Sequence, residues 1–304
     1  MVMLSLRMYI FQQLALIGPT ASGKTALSIK VAKHLNAHIL SLDSLSIYKE
    51  IDIVSAKPTV EERGGIEHFG LDVIYPNEAF DVTTFIKLYQ EVYKKCLKER
   101  KNLVIVGGTS FYLKMLIEGI SELPTISEYT KQETQKYLLD TEKAYAMLLA
   151  LDSEYMSSIE SKDTYRIEKA LNIYIETSLT PTAYFKLHPP KATITAALPI
   201  YQIVWDRTLL RERIALRTNI MLSDGLIDEV CMLEHKYARS PNCMKSIGIK
   251  ETLAYLDGVH DKEMLIEKIT TNTARLAKRQ TTFNNSQFEN VIKGSVKELE
   301  KILL

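Results

Sequence analysis

An eight-residue segment near the start of the chain has the spacing of a phosphate-binding loop. The segment GPTASGKT, Gly18–Thr25, fits the pattern G-x-x-x-x-G-K-[ST] in full and follows an apolar run. In such a loop the glycines let backbone amides turn toward phosphate oxygens, the lysine adds a positive charge and the threonine hydroxyl can bind Mg²⁺. The segment therefore predicts a polyphosphate site formed by Gly18, Pro19, Thr20, Ala21, Ser22, Gly23, Lys24 and Thr25.

Two further polar residues follow the ends of apolar runs. Asp43 comes after His38–Leu42, and Thr109 comes after Leu103–Val106 and two glycines. Because ligands bind beyond the carboxyl ends of parallel strands, both side chains should lie near the phosphate loop. Position alone leaves three roles open for Asp43: a magnesium ligand, a general base or the cap of a turn. Many P-loop kinases carry an acidic residue after a strand such as Leu103–Val106, and this chain has none there.

The elements around these residues alternate between strands and helices. Apolar runs at Gln13–Ile17, His38–Leu42 and Leu103–Val106 predict buried strands, with helical spacing after the first and the third. A further, less defined strand is predicted within Phe69–Ile74, between the second and the last of these runs. The rhythm predicts an α/β fold: a P-loop NTPase-like core with a parallel sheet flanked by helices, plus an inserted helical domain.

The inserted domain is predicted from a stretch in which strand patterns stop. Several helical patterns occupy residues 121–190, and Thr180-Pro181 and Pro189-Pro190 are interpreted as breaks that close the segment. The core domain is then 1–120 with 191–304, and its C-terminal part is mostly helical. A helix is predicted over Lys262–Lys278, and a last short strand at Ile292.

The composition excludes several classes of protein. Of 304 residues 46% are hydrophobic and 25% charged, which is typical of a globular chain that needs no disulfides. The cysteines, Cys96, Cys231 and Cys243, are too scattered for a disulfide framework or a Cys-x-x-Cys zinc site. The first residues lack the features of a signal peptide, Met3 or Met8 could equally be the start, and no run is long enough to span a membrane. We expect a cytoplasmic protein.

The net charge of +1 is a sum over unlike regions. Overall, 38 basic and 37 acidic residues give none of the basic excess that is usual for nucleic-acid-binding domains. Acidic residues are frequent in the predicted insertion, however, whereas Arg275, Lys278 and Arg279 cluster near the end of one predicted helix. A net charge says nothing about where the charges lie, so this balance does not exclude a partner that is held through a few placed contacts.

Six segments together resemble the tRNA dimethylallyltransferases, also called tRNA isopentenyltransferases. They occur in family order and are Gly18–Thr25, Asp43–Thr59, Gly107–Lys114, Thr164–Tyr174, Asp206–Val230 and Ser246–Phe283. The resemblance covers about Leu14 to Phe283, and no Cys₂His₂ finger follows, which implies the bacterial form. Family members transfer a dimethylallyl group from dimethylallyl diphosphate to N6 of the adenosine beside the tRNA anticodon.

The resemblance implies the catalytic residues Asp43, Lys24, Thr109 and Arg217, with Mg²⁺ held near Thr25. The N6 amine of adenine is a poor nucleophile because its lone pair is delocalised, so a base must remove its proton as the new bond forms. By resemblance that base is Asp43. The diphosphate gains charge as it leaves, and the phosphate loop, Lys24, Arg217 and Thr109 would stabilise it.

The resemblance also implies a set of contacts with tRNA. The residues are Asp43, Ser44, Leu45, Ser46, Thr109, Lys131, Tyr165, Arg166, Lys169, Lys278, Arg279 and Gln280. Arg166 and Lys169 are three residues apart, so they share one helix face. The implied partners are tRNA and dimethylallyl diphosphate but no membrane, and the protein is expected to be a monomer.

Some positions depart from the family, and other functions remain open. Ser46 stands where relatives commonly have a glutamine, and Phe283 replaces a tryptophan. One alternative is an adenylate dimethylallyltransferase that uses free AMP or ATP, although such an enzyme needs neither the insertion nor the basic helix. Others are a P-loop kinase for a small molecule and a non-catalytic RNA-binding P-loop protein.

Overall fold

A computed structural model describes residues 10–304. Met3, Met8 and the start of the segment considered for a signal peptide lie outside the described residues. Six strands form the sheet: β1 (Gln13–Ile17), β2 (Ala37–Ser41), β3 (His68–Phe69), β4 (Asn102–Gly107), β5 (Ile200–Ile203) and β6 (Ile292–Gly294). Their order is β3-β2-β4-β1-β5-β6, and every neighbouring pair is parallel.

Helices connect these strands and also form the region between β4 and β5. Up to Leu187 they are α1 (Lys24–His34), α2 (Val82–Glu99), α3 (Ser110–Glu118), α4 (Glu128–Leu138), α5 (Thr141–Leu151), α6 (Ser153–Met156), α7 (Thr164–Thr177) and α8 (Pro181–Leu187). Then follow α9 (Arg207–Ser223), α10 (Leu226–Tyr237), a 3₁₀ turn (Asn242–Lys245), α11 (Ile249–Leu256), α12 (Lys262–Gln287) and α13 (Val296–Leu303). Within residues 10–304 no helix combines the length and apolar character needed to cross a membrane.

The predicted α/β fold with a P-loop NTPase-like core is confirmed. β1 and β4 lie at the centre of the sheet, and Leu14, Leu16 and Val104 pack with Leu27 and Val31 of α1 in one buried cluster. Because all strands are parallel, the carboxyl ends of β1, β2 and β4 lie at one edge of the sheet. The phosphate loop follows β1, Asp43 follows β2 and Thr109 follows β4, so the fold brings all three to that edge.

The chain divides into two compact units. One contains the described residues up to Met115 together with Ile194–Leu304, and the other is Leu116–Thr193. The second unit is helical and has its own buried cluster, which includes Leu148, Ile167 and Leu171. The division into a core of 1–120 with 191–304 and an inserted domain of 121–190 stays a prediction about independently folding domains.

Three local predictions were wrong. Thr180-Pro181 begins a helix instead of breaking one: the Thr180 hydroxyl accepts a hydrogen bond from the Ala183 amide at 3.3 Å, and proline suits the first helical position because its missing N–H is not needed there. The helix predicted to end at Lys278 continues to Gln287. The buried residue in this extension is the polar Asn284, so hydrophobic periodicity did not indicate that the helix goes on. The strand predicted within Phe69–Ile74 shrinks to His68–Phe69 and a single bridge at Ile74.

Candidate active site

The phosphate loop turns sharply between β1 and α1. Gly18, Ala21 and Gly23 all have positive φ angles, at 154°, 62° and 92°. Gly23 is the N-cap of α1 and provides no side-chain cap, so the first amides of the helix are available to an anion. The Ser22 hydroxyl is buried without a hydrogen-bond partner among the described residues. The loop therefore presents unpaired donors together with a helix N-terminus.

The Lys24 side chain folds back onto the start of the phosphate loop. Its Nζ donates to the carbonyl oxygens of Gly18 at 3.0 Å and Pro19 at 2.6 Å. Burial, together with the positive charge of Arg217, lowers the pKa of Lys24 to about 7, although the nearby Asp43 carboxylate opposes this shift. An anion bound at the loop would favour the protonated ammonium again.

Arg217 and Arg213 reach the same loop from α9. The Arg217 guanidinium donates to the Thr20 hydroxyl at 3.3 Å and to the Ser55 carbonyl at 3.4 Å. Burial lowers the pKa of Arg217, and Asp43 opposes this shift. Arg213 Nε donates to the Ala21 carbonyl at 2.8 Å. Two guanidinium groups and an ammonium thus surround the position predicted for the diphosphate.

Asp43 caps the turn that follows β2. Its Oδ1 accepts from the amides of Leu45 at 2.8 Å and Ser46 at 3.3 Å. No protein hydrogen bond is formed by the second oxygen, Oδ2, within the described part of the chain. The capping role left open by the sequence is therefore present, and Oδ2 stays available for a ligand or a proton.

Thr109 ties the end of β4 to the segment after β2. Its amide donates to the Leu42 carbonyl at 3.1 Å, and its Oγ1 accepts from the Ser44 amide at 3.3 Å. Gln280 of α12 also approaches this edge, because its Oε1 accepts from the Thr20 amide at 2.9 Å. A residue 260 positions away in sequence thus contacts the phosphate loop.

Two cavities meet at these residues. The first has a volume of about 360 Å³ and is lined by the loop from Thr20 to Thr25 and by an apolar wall. That wall includes Ile39, Leu71, Val106, Leu216 and Ile220. The second cavity, of about 460 Å³, lies against Ser44, Thr109 and Arg279. The residues that line both are Thr20, Asp43, Ser55, Arg217 and Gln280. Among the described residues Asp43 is the only carboxylate in either lining.

The predicted tRNA-binding residues fall into separate groups. Asp43, Ser44, Leu45, Thr109, Arg279 and Gln280 line the second cavity, whereas Ser46 lines the first and is 3% exposed. Lys278 lines neither cavity and lies in a groove beside Arg275.

The remaining predicted tRNA contacts belong to the second compact unit. Tyr165, Arg166 and Lys169 are at the start of α7, where Tyr165 is 69% exposed and the Lys169 ammonium lies 5.4 Å from its ring centre. Lys131 is exposed on α4 and pairs with Glu128 at 3.2 Å.

Sequence reasoning missed several residues of the site. The sequence does indicate Arg213, because it precedes Arg217 by four residues and so lies on the same helix face. Trp205 packs against two buried clusters, and its indole N–H also donates to the Ser22 carbonyl at 2.9 Å. Nothing in the sequence around Ser55 indicated that it belongs to the site. Tyr112, near the start of α3, lines neither cavity and stacks on Phe85, at 4.9 Å between ring centres.

One cluster of metal-ligand types lies elsewhere in the described chain. His38, Glu67 and Glu99 could direct ligand atoms toward one point. However, Lys95 Nζ already pairs with Glu67 at 2.5 Å, and His38 Nε2 is within hydrogen-bond distance of Glu99 at 2.7 Å, so these side chains already have partners. Thr25, whose hydroxyl is the predicted magnesium ligand, lies instead at the phosphate loop and lines the first cavity.

Comparisons with known proteins agree with this geometry. A family model described as IPP transferase matches residues 46–287. The tRNA dimethylallyltransferase of Sulfurovum sp. (strain NBC37-1) is 71% identical over 96% of this chain and 97% of its own length. The crystal structure of the full-length tRNA isopentenylpyrophosphate transferase of Bacillus halodurans matches with a TM-score of 0.70 and 28% identity, over 97% of this chain and 96% of that one.

A structure of a eukaryotic dimethylallyltransferase acting on tRNA supports the fold. It has a TM-score of 0.80 at 23% identity, over 93% of this chain and 74% of that chain. The family match extends over most of the sequence, and the similarity to Sulfurovum covers nearly all of it. The chain belongs to the IPP transferase family.

Proposed function

We propose that this protein transfers a dimethylallyl group from dimethylallyl diphosphate to N6 of the adenosine next to the anticodon in tRNA. The observation that carries the proposal is the position of Asp43. It is the only carboxylate lining either cavity in the described chain, and it lies where the two cavities meet, near the cations Lys24 and Arg217. The name of the Sulfurovum relative, tRNA dimethylallyltransferase, supports the same reaction.

On the donor side, the first cavity fits a diphosphate with a short apolar tail. The loop amides, the unpaired Ser22 hydroxyl, Lys24 and Arg217 would bind the phosphates, while Ile39 and the other apolar residues of the wall would contact the isoprenoid. The oxygen donors present suit Mg²⁺, which the Thr25 hydroxyl and the diphosphate oxygens would hold. When bound, Mg²⁺ would offset negative charge on the leaving diphosphate.

The chemistry is a single substitution at C1 of the donor. The C1–O bond breaks, the C1–N6 bond forms, and the diphosphate leaves with the bonding electrons. The proton lost from N6 passes to the Asp43 carboxylate, whose Oδ2 forms no other hydrogen bond within the described residues. Lys24 and Arg217 would stabilise the charge that develops on the diphosphate oxygens.

On the acceptor side, the second cavity would take an adenine that has left the anticodon stack. Loop bases in RNA are readily unstacked, and an enzyme that modifies a base must bring it into a pocket. Ser44, Leu45, Thr109 and Gln280 line this cavity and would contact the nucleotide, with Ser46 beside them. Arg279 and Lys278, with Lys131, Tyr165, Arg166 and Lys169 of the helical unit, would bind the surrounding RNA.

The proposal is tested by offering two acceptors. The protein is incubated with dimethylallyl diphosphate and Mg²⁺, with and without EDTA, and with either tRNA or AMP; a parallel set of reactions also contains ATP. We expect N6-alkylated adenosine in the tRNA alone, and loss of product with EDTA. Alkylation of AMP alone would favour the adenylate enzyme, and consumption of ATP without alkylation would point to a kinase.

Two further expectations belong to the proposal. The protein would act in the cytoplasm, where its tRNA substrate is found, and as a monomer, since each chain contributes its own donor and acceptor cavities. Light scattering during size-exclusion chromatography measures the mass, and a mass near 34.6 kDa is expected.

A further inference from the structure

The phosphate loop contains one residue whose conformation is unfavourable. Ala21 has a φ of 62°, in the left-handed region that only glycine enters at little cost. Such a conformation persists where the surrounding structure holds it in place. Neighbouring side chains must therefore hold the loop at Ala21.

Two side chains bind backbone carbonyl groups of the loop. Arg213 Nε donates to the Ala21 carbonyl at 2.8 Å, and Trp205 Nε1 donates to the Ser22 carbonyl at 2.9 Å. The Arg213 guanidinium also lies 4.6 Å from the centre of the Trp205 ring, so each side chain orients the other. We call this pair the Trp205–Arg213 clamp.

Apolar packing supports the clamp from α9 and α12. Leu210, Ile214 and Ala277 form a buried cluster, against which Ala21 and Trp205 are partly buried. Leu210, Ile214 and Arg217 recur along one face of α9, with Arg213 next to them. The same helix therefore carries the support for the loop and a guanidinium of the donor cavity.

The two members of the clamp differ in their relation to the donor cavity. Arg213 lines the donor cavity, whereas Trp205 does not and lines a separate groove between α9 and α12. Any effect of Trp205 on the donor must then be transmitted through the loop or through Arg213. Trp205 is also the one tryptophan in the chain.

We propose that Trp205 is a positioning residue for the diphosphate donor. By binding the Ser22 carbonyl and fixing Arg213 on the Ala21 carbonyl, it keeps the loop amides turned toward the phosphates before the donor arrives. This inference rests on the proposed function for the identity of the donor. A preformed loop stabilises ground state and transition state alike, so its loss should weaken donor binding more than it slows the reaction step.

The first test removes the indole N–H and keeps an aromatic ring. Trp205→Phe should weaken the binding of inorganic pyrophosphate, measured by calorimetry, by roughly five- to tenfold, because one hydrogen bond to the loop is lost. The KM for dimethylallyl diphosphate should rise by about the same factor, with kcat and the KM for tRNA within about twofold of the wild type.

Tyr184→Phe is the matched control. It also removes a side-chain donor to a backbone carbonyl, from Tyr184 Oη to Glu122 at 2.9 Å, but in the second compact unit. Its pyrophosphate affinity should equal that of the wild type, even where its melting temperature falls. Unchanged pyrophosphate affinity in Trp205→Phe would overturn the proposal, and so would an equal loss in both variants.

The second test needs no variant. Because all tryptophan emission comes from Trp205, titration of the wild-type protein with Mg²⁺ and pyrophosphate should give a saturable change in fluorescence at the affinity found by calorimetry. Binding seen by calorimetry with constant emission would contradict the clamp. Failure of the proposed function is distinguishable, since it would abolish tRNA alkylation in the wild type and leave both pyrophosphate measurements unaffected.

Discussion

Lys24 should take up a proton when the donor binds. In the free protein its pKa is lowered to about 7, because burial and the charge of Arg217 disfavour the ammonium more than Asp43 favours it. A diphosphate beside Nζ brings negative charge into the same cavity and reverses this balance. The pKa of Lys24 should therefore rise toward its ordinary value near 10.5 in the complex.

The size of the uptake follows from these pKa values. With a pKa of about 7, roughly one Lys24 side chain in eleven is protonated at pH 8, and nearly all are protonated in the complex. Binding should then take up about 0.9 proton at pH 8 and about 0.1 proton at pH 6. By linkage, donor affinity should fall as the pH rises above 7, approaching tenfold for each pH unit.

The assay is titration calorimetry with inorganic pyrophosphate at pH 6 and pH 8, in pairs of buffers that differ in ionisation enthalpy. Lys24→Arg is the control, because a guanidinium keeps its charge at both pH values and reports the proton exchange of the ligand alone. The difference between the proteins is the contribution of Lys24. Equal proton uptake by both proteins at pH 8 would refute the reasoning.

Three other changes test the site. Asp43→Asn should lower kcat by about 10²-fold or more, because the base for the N6 proton is lost. Its pyrophosphate affinity should stay within about threefold of the wild type. Alkylation at the normal rate in a single-turnover experiment would show that Asp43 takes no part in the chemistry. Arg279→Ala should weaken tRNA binding and reduce the slope of log affinity against log salt by about 1, and an unaltered slope would mean that it touches no phosphate. Gly107→Ala should lower the melting temperature by several degrees, since its Cβ would lie 2.8 Å from the backbone of Leu42. Gly108→Ala meets only the end of a flexible side chain, so an equal fall in both variants would contradict the packing argument.

The parts of the fold that could be predicted are those encoded locally. β1 and β4 were predicted because short apolar runs with flanking glycines indicate buried strands, and the loop because its spacing is rarely found by chance. The meeting of Asp43 and Thr109 at the phosphate loop followed from one rule, that parallel strands bring their carboxyl ends to one edge. Their chemical roles stay predictions.

The parts that could not be predicted depend on contacts between distant segments. Gln280 binds Thr20 across 260 residues, and Trp205 binds Ser22 across 183. In both cases a polar side chain meets a loop carbonyl or amide, and nothing in the neighbouring sequence marks the partner. The prediction of a break at Pro181 was wrong for a different reason. Proline breaks a helix when it lies in the interior, but it is favoured in the first turn of a helix.

The end of β4 explains why the carboxylate of the site comes from β2. An added Cβ on Gly107 would lie 2.6 Å from the side chain of Leu42, and one on Gly108 would meet the Gln280 amide. An aspartate at either position would displace the segment before Asp43 or the contact between Gln280 and the loop. The strand end that carries a magnesium-binding acid in many P-loop kinases is therefore closed by packing, and the carboxylate at this edge of the sheet is Asp43, which follows β2. That position favours removal of a proton from an acceptor in the second cavity, because Asp43 lines both cavities and Lys24 lines only the first.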